Sequence, residues 1–138
     1  NMASIAAWTA FAGCANVRAP VVLDAARPGW AKGFAGQDVV LVVNLLHLIS
    51  GAATEAVLAG IAQVLAVGGK ALIYGPFLRD GVATSAGDAA FDASLRAQDP
   101  TIGYKDLAWV CAQLAKVGLR VRVQEMPANN LMLITFKI

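Results

Sequence analysis

The sequence predicts a three-layer α/β domain, with a mostly parallel sheet of about five strands, flanking helices and an antiparallel pair of strands at the C-terminal end. Three observations predict it. The segment Val39 to Asn44 is continuously apolar and rich in valine, the pattern of a parallel strand covered on both faces. Strand-like and helix-like segments alternate from residue 21 to residue 118. Two alternating, strand-like segments then close the chain in succession. No repeat, low-complexity tract or polar linker divides the 138 residues, which suffice for one domain with a buried core.

The elements follow in order. Ser4 can cap a short helix from Ile5 to about Ala12, with Gly13 as its stop. Pro20 opens a short strand, Val21 to Leu23, that ends at Asp24. Ala25 to Gln37 holds three glycines and a proline, so it reads as loop with at most one helical turn. After the central strand comes a helix from about Ala52 to Ala66, with Val57, Leu58, Ile61, Val64 and Leu65 as its apolar stripe and Gly68-Gly69 beyond its end. Lys70 to Tyr74 is a second buried strand, broken at Gly75-Pro76. Phe77 to Gly87 reads as exposed loop. Asp88 to Ala97 is helical, with Phe91 and Leu95 four apart. Lys105 to Val117 is a helix burying Leu107, Val110, Cys111 and Leu114. Leu119 to Met126 and Leu131 to Ile138 are strands joined through Pro127-Ala128-Asn129-Asn130.

Composition excludes several classes of function. A formal charge of +2, with scattered basic residues, is too small for a nucleic-acid binder. At 58% hydrophobic the chain is unusually apolar. Its longest apolar run, Val39 to Ile49, is interrupted by Asn44 and His47 and is about half of the ~20 residues a spanning helix needs. The start, Asn1-Met2-Ala3-Ser4, has no basic, apolar leader pattern, and a cytoplasmic location is expected. Cys14 and Cys111 read as buried thiols, not a disulfide. One histidine and no paired cysteines give no metal site.

Five blocks carry a resemblance: Val22-Leu23-Asp24; Asn44 to Ser50; Tyr74-Gly75-Pro76-Phe77; Ala90 to Arg96 with Asp99-Pro100; and Met126 to Asn130. In order and spacing the chain resembles a class I, S-adenosylmethionine-dependent methyltransferase-like family, a domain-of-unknown-function group that includes vertebrate methyltransferase-like proteins. The resemblance implies a partial, Rossmann-like methyltransferase fold that begins after the family's second strand. No G-x-G-x-G or G-x-G-x-x-G loop occurs in these residues. It implies an ancestral methyl transfer to a small molecule, weak or absent in this chain alone. The rival reading is a non-catalytic dimeric module that binds a small ligand or a protein. It also implies S-adenosylmethionine as the cofactor, with Asp24 and Ala25 on the adenine side and Asn44 and Leu45 on the methyl-donor side. Tyr74 and Phe77, after the next strand, would face the substrate with His47, Asn129 and Asn130.

Each of these residues has a structural alternative. Asp24 can cap its loop. His47, the sole histidine, is either a general base or a packed structural residue. Asn44 contacts ligand or satisfies loop amides. Tyr74 and Phe77 wall an aromatic pocket or close the core beneath it. Asn129 and Asn130 line a pocket or shape a turn. Asp92 and Arg96 form either an exposed i,i+4 pair or a buried network with Asn129 or Asn130. Trp30, in its glycine-rich loop, is the tryptophan expected to touch a ligand or partner. An apolar sheet edge left open would be a template for pairing, so a homodimer is expected, through that edge or by exchange of the N-terminal segment.

Overall fold

The computed structural model describes residues 1–138. It contains four strands and four α-helices. Helix α1 spans Met2–Phe11, β1 Gln37–Val43, α2 Gly51–Val64 and β2 Leu65–Gly75. Helix α3 spans Ala86–Gln98, α4 Leu107–Lys116, β3 Leu119–Glu125 and β4 Leu131–Lys137. The sheet order is β1-β2-β4-β3. Strands β1 and β2 are parallel, and β4 runs antiparallel to both β2 and β3. The sheet is therefore mixed, with a single parallel pair. The expected first strand, Val21 to Leu23, has no ladder partner and is exposed. A strand is defined by its ladder of hydrogen bonds to a neighbour, and these three residues have none.

Caps fix the helix starts. Asn1, not Ser4, caps α1 and accepts from the Ser4 N–H at 3.3 Å. Ser50 caps α2 and accepts from Ala53 N–H at 3.1 Å; Asp106 caps α4 through Ala108 N–H at 2.9 Å. The stretch Trp30–Gly33 forms one 3-10 turn, within the expectation of at most one helical turn in its loop. Trp30 lies across α2 where Gly60 leaves room, since a Cβ at Gly60 would sit 2.3 Å from the indole ring.

The core fills one side of the sheet. Val57, Leu58 and Ile61 of α2 and Val110 and Leu114 of α4 meet Ala71 and Ile73 of β2 and Leu131 and Leu133 of β4. Thr135, fully buried in β4, accepts Ala71 N–H with its hydroxyl at 3.1 Å. Lys137 secures the end of α2 by donating to Ala62 and Leu65 carbonyls, each at 2.7 Å.

The opposite face differs from the three-layer expectation. Its cross-strand rows Leu41–Leu72–Ile134 and Val43–Tyr74–Met132 hold no fully buried side chain, and Leu41 is 62% exposed. A continuous apolar run reports that a strand is apolar on both sides; it does not report that both sides are covered. Helix α1 buries no residue, and its Trp8 is 67% exposed. No helix is long and apolar enough to cross a membrane.

Candidate functional site

Parallel strands β1 and β2 end side by side, and Asn44 N–H donates to Tyr74 O at 2.9 Å to close the pair. Beyond those carboxyl ends lies a cavity of about 450 Å³. Its walls come from the β1 exit (Asn44, His47, Leu48), from Pro76 after β2, from Asp88 and Phe91 of α3, from Tyr104, and from Ala128 and Asn130 before β4. Crevices at the carboxyl ends of parallel strands are where open α/β sheets bind ligands.

Asn44 occupies the left-handed region at φ 53, as do Ala128 and Asn129 at φ 58 and 60. Asparagine tolerates that conformation and turns the chain sharply at the strand exit. A 3-10 turn, Leu46–Leu48, follows and carries His47 inward. His47 is only 6% exposed. Its backbone carbonyl accepts Gly103 N–H at 3.0 Å. The ring makes edge contacts with Phe91 and Tyr104, at centroid separations of 6.0 and 5.8 Å, and Phe91 and Tyr104 touch at 6.1 Å. Burial first, and then the nearby Lys105 ammonium, holds the imidazole pKa below its ordinary value, so the ring is neutral at physiological pH. Neutral imidazole has a lone pair to receive a proton.

Two carboxylates of α3 order the far wall. Ser85 starts the helix by accepting Asp88 N–H at 3.1 Å, and its hydroxyl donates back to Asp88 Oδ2 at 2.6 Å. Asp88 also accepts from Tyr104 OH at 3.1 Å and from Asn129 Nδ2 at 3.0 Å. These donors, the Ser85 hydroxyl foremost, hold its pKa below the usual carboxylate value. Tyr104 responds in the opposite sense. Burial, and then the Asp88 carboxylate beside it, pushes the phenol up to about 12. One turn later, Asp92 accepts Tyr104 N–H at 2.6 Å and Arg96 Nε–H at 3.0 Å, and Arg96 donates to Tyr104 O at 3.0 Å. Gly103, at φ +126, lets the chain pass this pair; a Cβ there would lie 2.7 Å from Asp92 Oδ1. Lys105 reaches the Ile49 and Gly103 carbonyls at 2.7 and 2.8 Å, tying the His47 turn to the Tyr104 loop.

The structure brings together three residues singled out in the sequence, Asn44, His47 and Asn130, with Asn129 joined to them through Asp88. Phe77 lies in the core at 2% exposure, and Tyr74 lies in the sheet face opposite the core; Pro76 between them lines the cavity instead. Asp24 is exposed and accepts Ala26 N–H at 3.1 Å, which makes it a turn-former. Leu23 and Ala25, on either side of it, share a separate apolar groove of about 300 Å³ with Trp30 and Leu45. Asp92 and Arg96 form the i,i+4 pair, bound to Tyr104 and not to Asn129 or Asn130. Both cysteines are free; Cys14 is exposed and Cys111 half-buried. Sequence reasoning missed Asp88, Phe91 and Tyr104 as site residues. The Ser85-x-x-Asp88 spacing, a capping box that starts the helix earlier, was the available signal for the first.

The fold has close counterparts among solved structures. An O-methyltransferase family protein from Burkholderia thailandensis superposes with a TM-score of 0.68 at 22% identity, covering 78% of this chain and 32% of that one. LaPhzM superposes with a TM-score of 0.77 at 18% identity, covering 99% of this chain and 40% of its own. Human N-acetylserotonin methyltransferase, solved in complex with SAM, gives a TM-score of 0.62 at 17% identity over 72% of this chain and 29% of its own. The fold is thus methyltransferase-like, and the chain spans between 29% and 40% of the length of these proteins. A family model described as "Protein of unknown function (DUF938)" matches residues 1–137, and the chain belongs to that family.

Proposed function

We propose that this chain forms the acceptor side of an S-adenosylmethionine-dependent methyltransferase acting on a small molecule, and that it transfers methyl groups weakly or not at all by itself. The observation that carries this reading is the cavity at the carboxyl ends of β1 and β2, with a buried, neutral His47 in its wall. Asp24, Ala25 and Leu45 fit the adenine end of the donor: a carboxylate with one oxygen engaged by Ala26 N–H sits between two residues of an apolar groove. Asn44 stands between that groove's Leu45 and the cavity. When bound, S-adenosylmethionine supplies an electrophilic methyl group on a sulfonium that becomes a neutral thioether. The chain's own part is to position an acceptor heteroatom and to take its proton on the His47 imidazole.

Saturation-transfer NMR with S-adenosylmethionine tests the donor side. The adenine protons are expected to receive saturation and the methionine methylenes to receive little, and Asp24→Ala should abolish the adenine signal. Absence of transfer to adenine in the unaltered chain overturns the reading.

A second reading, a dimeric non-catalytic module, is favoured by a different observation. The bare sheet face, the unpaired edge of β1 and an α1 with no buried residue are together a large apolar surface for one domain. Reciprocal exchange of α1, or edge-to-edge pairing of β1, would cover it. Sedimentation velocity giving only monomer at micromolar concentration removes this reading.

A further inference from the structure

From the hydrogen-bonding inventory of the cavity, we infer that its ligand carries a protonated amine or quaternary ammonium group, held by the Asp88 carboxylate against the Phe91 and Tyr104 rings. The inference rests on the cavity being the acceptor side, but ammonium binding needs no methyl donor and is measured without one.

The donors that the cavity leaves without a partner, the Asn44 side-chain amide and the His47 N–H, are uncharged. Asp88 is the one formally charged residue in its lining. Its three partners, Ser85, Tyr104 and Asn129, are all neutral, and it belongs to neither ion pair in the chain. A carboxylate has about four lone-pair positions, so Oδ1, which takes only the Tyr104 hydroxyl, keeps one open. Asn130 spends its amide N–H groups on the Pro127 and Ala128 carbonyls at 3.2 and 3.4 Å, which leaves its Oδ1 as the remaining group. His47 is more than nine-tenths buried, yet it lines the cavity with ring nitrogens that have no partner within the chain.

The surrounding cations make their hydrogen bonds elsewhere, although the buried Arg79 Nε–H has no partner. Arg79 holds Glu125 in a two-pronged pair at 3.1 and 3.3 Å. Arg96 holds Asp92, and Lys105, near enough to the His47 ring to lower its pKa, donates to the Ile49 and Gly103 carbonyls. The walls add a second recognition element. Phe91 is 46% exposed, lines the cavity and packs edge-on against Tyr104 at an interplanar angle of 71°, an aromatic wall for a cation. An anionic ligand would meet the Asp88 carboxylate with only uncharged donors, the Asn44 amide and the His47 N–H, to offset it. A neutral phenol would add no charge to that of the Arg79 guanidinium, which lowers the Asp88 pKa without hydrogen-bonding to it.

The test titrates the full chain with three probes of similar size, followed by amide chemical shifts and calorimetry: tyramine, p-cresol and 4-hydroxyphenylacetate. Tyramine is expected to bind at least ~10-fold more tightly than p-cresol, because a charge-assisted contact is roughly twice as strong as a neutral one. The anion should bind weakest. Asp88→Asn should erase the preference for tyramine, whereas Tyr104→Phe, which keeps the carboxylate, should preserve it. Phe91→Ala should weaken tyramine more than p-cresol. Equal affinities in the unaltered chain, a preference for the anion, no binding of any probe, or a preference that survives Asp88→Asn would each overturn the inference. Loss of the adenine signal described above would leave this result untouched, and the reverse also holds.

Discussion

Gly103→Ala is the substitution that tests the architecture of the cavity wall most directly. Gly103 stands at φ +126, where a side chain costs ~1–3 kcal/mol in backbone strain alone. Its new Cβ would also fall 2.7 Å from Asp92 Oδ1 and 2.8 Å from Arg96 Cζ. Those atoms cannot yield without giving up the Tyr104 N–H bond to Asp92 or the Arg96 bond to Tyr104 O. Hydrogen bonds to charged groups contribute ~1.5–3 kcal/mol each, so losing one brings the total to ~3–6 kcal/mol. Gly81→Ala is the control. Gly81 also has positive φ, at +75, but open space surrounds its Cβ position, so only the conformational cost of ~1–2 kcal/mol applies. Urea unfolding followed by far-UV circular dichroism gives both values. A Gly103→Ala loss within ~1 kcal/mol of the Gly81→Ala loss would refute the claim that the Asp92–Arg96–Tyr104 cluster is rigidly packed.

Two further outcomes are expected. Gly60→Ala should destabilise the chain by ~1–3 kcal/mol in the same assay, although helix propensity alone favours alanine by ~1 kcal/mol, because the Trp30 indole would lose its seat on α2; a stabilised variant would refute the packing. Tyr104 should ionise near pH 12 by absorbance at 295 nm, and Asp88→Asn should lower that midpoint. The folded state keeps this proton longer than the unfolded chain does. The contribution is therefore complete below the ordinary phenol value of 10.0 and is lost as pH rises toward 12. A midpoint unmoved by Asp88→Asn would remove the carboxylate as a cause.

Much of the fold was legible in the sequence, for reasons that vary by element. Helices α2 and α4 advertise an apolar stripe at helical spacing, with Ser50 and Asp106 at their starts. The β1 run is unmistakable as a strand, but its valines look alike whether or not a layer covers them, and so the bare face of the sheet was invisible. Val21 to Leu23 failed as a strand because pairing is decided by a distant partner, and none lies beside it. The site divides in the same way. Asn44, His47 and Asn130 flank predicted strand ends, and the family resemblance set those ends at a crevice. Asp88 and Tyr104 are 16 residues apart and meet only because Gly103 permits a tight pass over Asp92. No local pattern encodes such a meeting.

The cavity is assembled from five separate stretches of chain, residues 44–48, 76, 88–91, 104 and 128–130. None of them forms a binding surface in isolation, so anything that occupies the space binds the native chain and ignores the denatured one. Occupancy at a hundred times the dissociation constant then adds about 2.7 kcal/mol to the unfolding free energy, a rise in melting temperature of several degrees for a domain of this size. The melting curve is thereby a detector of ligands, and a library of small amines can be sorted by it before any product of catalysis is sought.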